Sequence, residues 1–464
     1  MRLGIIDIGY NAIRAVVYED NVIGAPEIFN HKFKNDILSL LMHEELDIKH
    51  QAYLSINYIL HIFKKLQVST IRCVATAVLR GQPRADVFIE FIKQKYNFTI
   101  EILSGEQEAY LTAVGLMSGV YDVDGIAADL GGGSLELIEI DNRVIGKLSS
   151  LALGTKIITN RKLQNLEDIT KIIKEEYGDY QYKNLYLIGG ALRFICRFFV
   201  EFNKYPLKNL HNLSIPREDL SSYLKSMKDL PSHRVKLYNK ALNQNAILVA
   251  QAMLEVFRPD NIIVSIFGLK EGVRYEMLPE AEKNQDIALQ KVVYCCKYKL
   301  EETNFDKYYE IILPLLEESK DLYQILKLVI ILQSLNKYFD QTLPPRAMNE
   351  YILNSEIPFT HRQRVMIVVA LSYFSHFKPD VDLIKFAKKF LCAEDFKNSQ
   401  IIGHFIRIAK DIDGFYFVQP SFSITNKNHY LEIVSKDILP RPIFEKVCDR
   451  LKSIAFIRKI SSNK

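Results

Sequence analysis

Tryptophan is absent, and the six cysteines (Cys73, Cys196, Cys295, Cys296, Cys392 and Cys448) make no CxxC pair and no metal-ligand spacing. A disulfide framework and a structural zinc module drop out, and the thiols read as the reduced, buried or incidental cysteines of a cytoplasmic protein. No apolar run approaches the ~20 residues that a membrane-crossing helix requires. Met1-Arg2 leads directly into an apolar stretch that carries Asp7, unlike a signal peptide. Neither sign of charge dominates: 60 Lys and Arg stand against 55 Asp and Glu, for a net charge of +5 and a pI near 8.6. So mild a balance suits a polyanionic substrate, and an ordinary solvated surface meets it equally well. It gives no ground for a nucleic-acid or membrane partner.

What is present is a globular composition, 48% hydrophobic and 25% charged over 464 residues, enough for two to four domains. One stretch organises the rest: Asp129-Leu130-Gly131-Gly132-Gly133-Ser134-Leu135-Glu136. An apolar strand, Ile126 to Ala128, ends on Asp129; three glycines follow; the chain then resumes through Leu135, Leu137 and Ile138. Glycines without Cβ let backbone N–H groups converge into an anion-binding nest. The carboxylate beside that nest repels phosphate but holds a divalent cation, or its water, against one. Taken alone, the stretch is also compatible with an ordinary glycine-rich hairpin.

A second copy argues against the ordinary hairpin. Gly4-Ile5-Ile6-Asp7-Ile8-Gly9-Tyr10-Asn11 is again an apolar strand ending on Asp and then Gly. Val22-Ile23-Gly24 answers Val144-Ile145-Gly146, and seventeen positions separate Asp from the later Gly in both copies. Such an internal repeat signals a duplicated unit.

The doubled motif resembles the actin, sugar-kinase and heat-shock ATPase superfamily, and within it the exopolyphosphatase/guanosine pentaphosphate phosphatase (Ppx/GppA) family. The residues that carry the resemblance are Asp7-Ile8-Gly9-x-Asn11, Ala75-Thr76-Ala77-x-x-Arg80, Ser104-Gly105-x-x-Glu108-Ala109, Asp129 to Glu136, Gly189-Gly190 and Gly268-Leu269-x-Glu271-Gly272. They stand in family order over roughly residues 1–280. The resemblance implies an α/β fold: two actin-like (ribonuclease H-like) βββαβαβ domains, 1–120 and 121–283, enclosing an interdomain phosphate cleft. A mainly helical C-terminal domain, 284–464, is expected after them, with a small α+β cap after about 412.

Periodicity fills in the elements. Strands are expected at 3–8, 12–19 and 22–32, then a helix near 49–66, a strand at 71–75, a helix around Phe88 to Lys95 and a strand at 98–103. Ser104 and Gln107 form a capping-box pattern that starts a helix running to about Gly119. The second unit continues through helices near 167–177, 191–202 and 239–257, with strands at 185–188 and 261–267. Amphipathic helices fill 286–410, a few strands lie within Phe415–Ser423 and Tyr430–Val434, and a helix at 442–457 closes the chain. In long family members the C-terminal region resembles an HD-type hydrolase domain. Here no His is followed directly by Asp, and His361, His376 and His404 are scattered.

The resemblance implies hydrolysis of a terminal phosphoanhydride by water, which needs donors on the phosphate, a cation and a group that positions or deprotonates water. Glu108 matches the family's catalytic glutamate. Its place in the first turn of a helix would lower its pKa, and on the residues alone Glu106 and Glu108 are equally plain N-terminal acids. Asp129, Glu136 and Asp7 are the candidate Mg²⁺ ligands. Arg80 is placed to hold a phosphate bidentately, and Arg14 to meet a distal one. Gly9, Asn11, Gly131, Gly132, Gly133 and Ser134 offer N–H and hydroxyl donors; Gly189 and Gly190 open a helix whose N-terminus suits an anion or close packing.

Several residues depart from the family pattern: Tyr10 stands for Ser, Arg84 for Asn, Gln107 for an acid, Leu135 for Thr and Lys270 for Arg. Tyr10 is expected to narrow the phosphate turn. The activity expected first is a Mg²⁺-dependent exopolyphosphatase acting on inorganic polyphosphate; the alternatives are a guanosine pentaphosphate phosphatase and a non-catalytic sensor of either anion. A homodimer is expected by resemblance alone.

Overall fold

The structure, a computed structural model, describes residues 1–34, 36–42, 49–163, 165–227, 244–296, 303–334, 345–376, 378–414, 417, 419–427, 430–436 and 438–454. They form two compact units, Met1–Ile287 and Ala288–Lys464.

The first unit begins with β1 (Leu3–Ile8), β2 (Ala12–Tyr18), β3 (Glu27–Lys34), α1 (Ile37–Met42), α2 (Gln51–Lys65), β4 (Thr70–Ala75), α3 (Ala85–Tyr96) and β5 (Ile100–Ile102). Their sheet runs β3-β2-β1-β4-β5, antiparallel through the hairpins and parallel from β1 to β5. After α4 (Gly105–Gly119) the pattern repeats with β6 (Gly125–Leu130), β7 (Leu135–Asp141), β8 (Val144–Leu151), α5 (Thr155–Arg161), α6 (Leu166–Tyr177), β9 (Asn184–Ile188) and α7 (Gly190–Phe202). Then come β10 (Leu213–Pro216), α8 (Arg217–Ser226), α9 (Gln244–Phe257), β11 (Asn261–Val264) and α10 (Leu269–Met277). The second sheet runs β10-β11-β9-β6-β7-β8.

Strand alternation decides which way each aspartate points. Ile6 and Ile8 pack outward with Ile56, Ile59 and Phe63 of α2 and with Phe88 and Ile92 of α3. Leu3 and Ile5, on the face that Asp7 shares, pack with Leu111 of α4 and Val273 of α10. In the second sheet Ala127, on the face of Asp129, packs with Ala109, Ala113 and Leu116 of α4. Helices α4 and α10 therefore lie between the sheets, and both aspartates face that layer. The two helices touch backbone to backbone: a Cβ on Gly272 would lie 1.8 Å from the Leu111 carbonyl oxygen, and one on Gly115 2.0 Å from that of Gly268. Only hydrogen fits there.

Several expectations change. The third strand of the first unit starts at Glu27 rather than 22, because residues up to Pro26 form a turn closed by Ala25 N–H to the Val22 carbonyl. Gly24 thus sits in a turn while Gly146 lies inside β8, so that part of the sequence repeat is not a structural one. The second half of the first unit carries an extra edge strand, β10, antiparallel to β11. Its four residues end on Pro216, too short and too irregular to show as alternation. β11 stops at Val264, where the Ser265 hydroxyl takes the Phe267 N–H and turns the chain. Residues 239–243 of one expected helix and 455–457 of another lie outside the described residues, as do 415, 416 and 418.

The second unit is helical: a helix over Ile287–Cys296 comes before α11 (Phe305–Ile312), and α12 (Leu322–Ser334), α13 (Pro345–Asn354), α14 (His361–Ser375), α15 (Val381–Ala387) and α16 (Ala393–Asp413) follow. A hairpin, Phe422–Lys427 with Tyr430–Ser435, and a helix at Arg441–Ser453 follow. At its centre α14 is buried almost all round, including Arg364, whose guanidinium donates to the carbonyls of Ile352 and Ile357. Among the described residues no group of three His, Cys, Asp or Glu is arranged around a metal position, and no helix is long and apolar enough to cross a membrane.

Candidate active site

The two hairpin turns are built alike. Gly9 N–H bonds the Ala12 carbonyl at 3.0 Å, and Gly131 N–H bonds the Ser134 carbonyl at 3.0 Å. Asp7 pairs across its hairpin with Arg14, and Asp129 across its own with Glu136. The glycine turn of the second hairpin is fastened from behind: Thr155 and Lys156, at the start of α5, donate their N–H groups to the carbonyls of Gly131 and Gly132. With those carbonyls turned away, the opposite edge of the turn presents donors to the cleft.

Carboxylates lie beside the turns, Asp7 within charge range of Asp129, and Asp129 of Glu136 and Glu108. Glu136 is 1% exposed and Glu108 9% exposed. Burial pushes Glu136 up to about 7, helped by the charge of Asp129 and opposed by the hydroxyls of Ser134 and Ser150. Ser150 Oγ donates to Glu136 Oε1 at 2.9 Å. Asp7 and Asp129 are recessed in the cleft and pushed up to about 6, chiefly by loss of water. Arg14 opposes the shift at Asp7, and Arg193 opposes it at Asp129.

Ser104 caps α4 as expected, its hydroxyl taking the Gln107 N–H while Gln107 Oε1 takes the Ser104 N–H. The helix start separates the two acids that the sequence left equivalent: Glu106 is exposed and Glu108 is buried. Glu108 accepts from Arg80 Nη2 at 2.6 Å, and Arg80 Nε donates to the Leu103 carbonyl at 3.0 Å. The expectation of a lowered Glu108 pKa is wrong. Burial first and Glu136 second raise it well above the carboxylate range, with Arg80 pulling the other way. A helix dipole contributes a fraction of a charge at a solvated end, and desolvation outweighs it here.

Gly189 precedes α7 at φ 80°, and a Cβ there would meet Asp129 Oδ1 at 2.5 Å. The Gly189-Gly190 pair thus gives the Asp129 carboxylate its room. Asn11 comes to the second turn instead: a Cβ on Gly132 would lie 2.9 Å from both Asn11 Nδ2 and Tyr10 Cβ. Arg14 Nε donates to Asn30 Oδ1 at 3.0 Å, and Arg14 pairs in register with Lys32 on β3. Asp129, Glu136, Glu108 and Arg80 are thus brought together, and Asn11 meets the second turn.

The departures find physical places. Leu135 points into the second core and Gln107 completes the cap, so neither touches the turns. Arg84 holds φ 69°, a left-handed conformation that asparagine enters more easily. Lys270 is an ion-pair partner of Glu27 and Glu271. Sequence reasoning missed Arg193, Glu271 and Ser150. Glu271 lies in a quoted motif, where its carboxylate takes the Gly268 N–H at 2.9 Å; Arg193 follows the glycine pair by one turn of helix. Ser150 is in an unremarkable strand, and only the pairing of β7 with β8 brings it to Glu136.

Residues 23–281 match the model of the Ppx/GppA phosphatase family. The chain belongs to that family. A bifunctional 3-dehydroquinate synthase/phosphatase of Fusobacterium nucleatum is 26% identical over 56% of this chain and 44% of its own length. A guanosine-5'-triphosphate,3'-diphosphate pyrophosphatase of Aliivibrio fischeri is 22% identical over 60% of each. The chain thus spans about half the length of these relatives. Among solved structures, an exopolyphosphatase from Cytophaga hutchinsonii aligns with a TM-score of 0.52 at 19% identity, covering 60% of this chain and 97% of that one. The Aquifex aeolicus Ppx/GppA phosphatase aligns at 0.50 and 21% identity, covering 60% and 100%. These place the actin-like Ppx/GppA fold on the first unit.

Proposed function

We propose that this Ppx/GppA member is an exopolyphosphatase that releases terminal orthophosphate from inorganic polyphosphate by attack of water. The observation that carries this is Glu108: a buried carboxylate of raised proton affinity, held by Arg80 at 2.6 Å and within charge range of Glu136 and Asp129 beside the second glycine turn. A carboxylate of raised proton affinity accepts a proton from water in the transition state more readily than an ordinary one. In the proposed step the water oxygen bonds to the terminal phosphorus, the water proton passes to a Glu108 oxygen, and the anhydride bond to the shortened chain breaks. In this reading the N–H groups of Gly132 and Gly133 would meet the equatorial oxygens, where charge builds.

Magnesium belongs to the same proposal. Asp129 and Glu136 face each other in register, and each raises the cost of ionising its neighbours. A divalent cation relieves that repulsion, and magnesium needs only one or two carboxylates because it keeps its waters. Asp129 and Glu136 would hold it, with Asp7 nearby, and when bound it would supply positive charge against the phosphate oxygens.

A second reading has support from the relatives named as guanosine-5'-triphosphate,3'-diphosphate pyrophosphatases: the same chemistry on a guanosine pentaphosphate. Phosphate release measured side by side on long-chain polyphosphate and guanosine pentaphosphate, with Mg²⁺ and with EDTA, separates the two. Preference for polyphosphate supports the first reading. Preference for the nucleotide replaces it with the second, and no release from either refutes both.

A further inference from the structure

Tyr10 stands where the family resemblance led us to expect a small hydroxyl residue. Its Cβ and ring rest against Gly132 and Gly133, so the turn of the first hairpin is seated on the turn of the second. Lys156 reaches across this junction. Its own N–H donates to the Gly132 carbonyl at 2.9 Å, which roots the side chain behind the second turn. Its ammonium donates to the Tyr10 carbonyl at 3.3 Å and lies 4.9 Å from the centroid of the Tyr10 ring. The lysine is half-buried, and among the described residues no carboxylate lies within ion-pair distance of it.

We propose that Lys156 is a substrate-positioning residue for a polyphosphate anion, held over the junction of the two glycine turns by the carbonyl and ring of Tyr10. The physical case rests on the partners. A neutral carbonyl and a π face satisfy an ammonium only in part, and each is exchanged readily for a phosphoryl oxygen, which makes a shorter, charge-assisted hydrogen bond. A lysine with a carboxylate partner would have to break an ion pair first. Lys156 has no such debt, and its root on the turn that would hold the phosphate limits the entropy lost on engaging it. Tyr10 then has a role that serine could not fill: its ring supplies the resting place of the cation.

This inference rests on the proposed polyphosphate chemistry, and its test is arranged to fail separately. Binding of tripolyphosphate with Mg²⁺ is measured by titration calorimetry on the full chain carrying Glu108→Gln, so that turnover does not consume the probe. Lys156→Met should weaken binding by about tenfold or more, the worth of one charge-assisted hydrogen bond, while Lys156→Arg stays within about threefold. Tyr10→Phe, which keeps ring and carbonyl, should bind like its parent, and so should the remote control Lys171→Met. In the otherwise natural chain, Lys156→Met should raise KM for polyphosphate with little change in kcat, the signature of lost ground-state and transition-state binding alike.

Unchanged binding in Lys156→Met overturns the proposal. So does a loss in Lys156→Arg as deep as in Lys156→Met accompanied by a lower Tm in both, which would make the lysine a structural bridge. Absence of phosphate release by the natural chain, with Lys156-dependent tripolyphosphate binding retained, refutes the exopolyphosphatase reading and leaves the site standing.

Discussion

Arg14 and Glu136 occupy the same place in the two hairpins: each stands in register across the strand pair from an aspartate, Arg14 from Asp7 and Glu136 from Asp129. The two hairpins therefore share this register and differ in charge. The first hairpin carries its own counter-ion. The second sets two acids side by side in a place with little water, and that imbalance is the reason for the proposed cation. The proposed chemistry is placed at the second hairpin for the same reason, since Glu108 lies beside it.

Relief of this repulsion is measurable without any substrate. Glu136 titrates near 7 in the folded protein against an ordinary value of 4.5. Between those values the folded state keeps a proton that the unfolded chain has released, so this group lowers stability as pH rises from about 4.5 to 7, and the full penalty applies above that. Glu136→Gln should raise Tm in EDTA at pH 8, worth roughly 1–3 kcal/mol, and much less at pH 5. Added Mg²⁺ should stabilise the natural chain more than the variant. Thermal unfolding at the two pH values checks both.

Removing the proposed base should cost activity and not the fold. Glu108→Gln is expected to lower phosphate release by about 10²–10⁴-fold. Because the residue it replaces is a buried carboxylate, Tm should hold or rise. Activity within tenfold of the natural chain would strip Glu108 of its role.

Arg80 and Glu108 are coupled, and the coupling has a sign. The guanidinium holds the Glu108 pKa down. Arg80→Met should therefore move the acidic limb of the pH–rate profile to higher pH, beyond any fall in maximal rate. A limb that stays in place would mean that another group titrates there.

Gly189 is strained for any other residue. At φ 80°, with Asp129 Oδ1 2.5 Å from the missing Cβ, Gly189→Ala must displace either the carboxylate or the start of α7. A loss of about 1–3 kcal/mol in stability is expected together with a weaker response to Mg²⁺. Chemical denaturation with and without the metal reads both effects.

Much of this was legible in the chain itself. Local patterns are short-range, so they survive in sequence: the apolar strand ending on Asp7 or Asp129, the glycine turn, and the Ser104–Gln107 cap. The helical character of residues beyond 284 followed from periodicity in the same way. Elements without a strong local signal were lost, as with the four residues of β10, or misplaced, as with β3, whose start is set by the turn closing at Pro26.

Sequence by itself determined the duplicated strand-turn-strand scaffold, the acids at its strand ends and the family, because spacing along the chain sets which residues share a turn or a face. Tertiary structure alone decided which of Glu106 and Glu108 is buried, that Glu108 meets Arg80, and that its proton affinity rises rather than falls. It alone seated Tyr10 on Gly132 and Gly133 and brought Lys156 to both turns. Desolvation and charge coupling depend on neighbours that lie 28 residues away for Arg80 and Glu108, and 146 away for Tyr10 and Lys156. No local pattern carries information across such distances; only packing does.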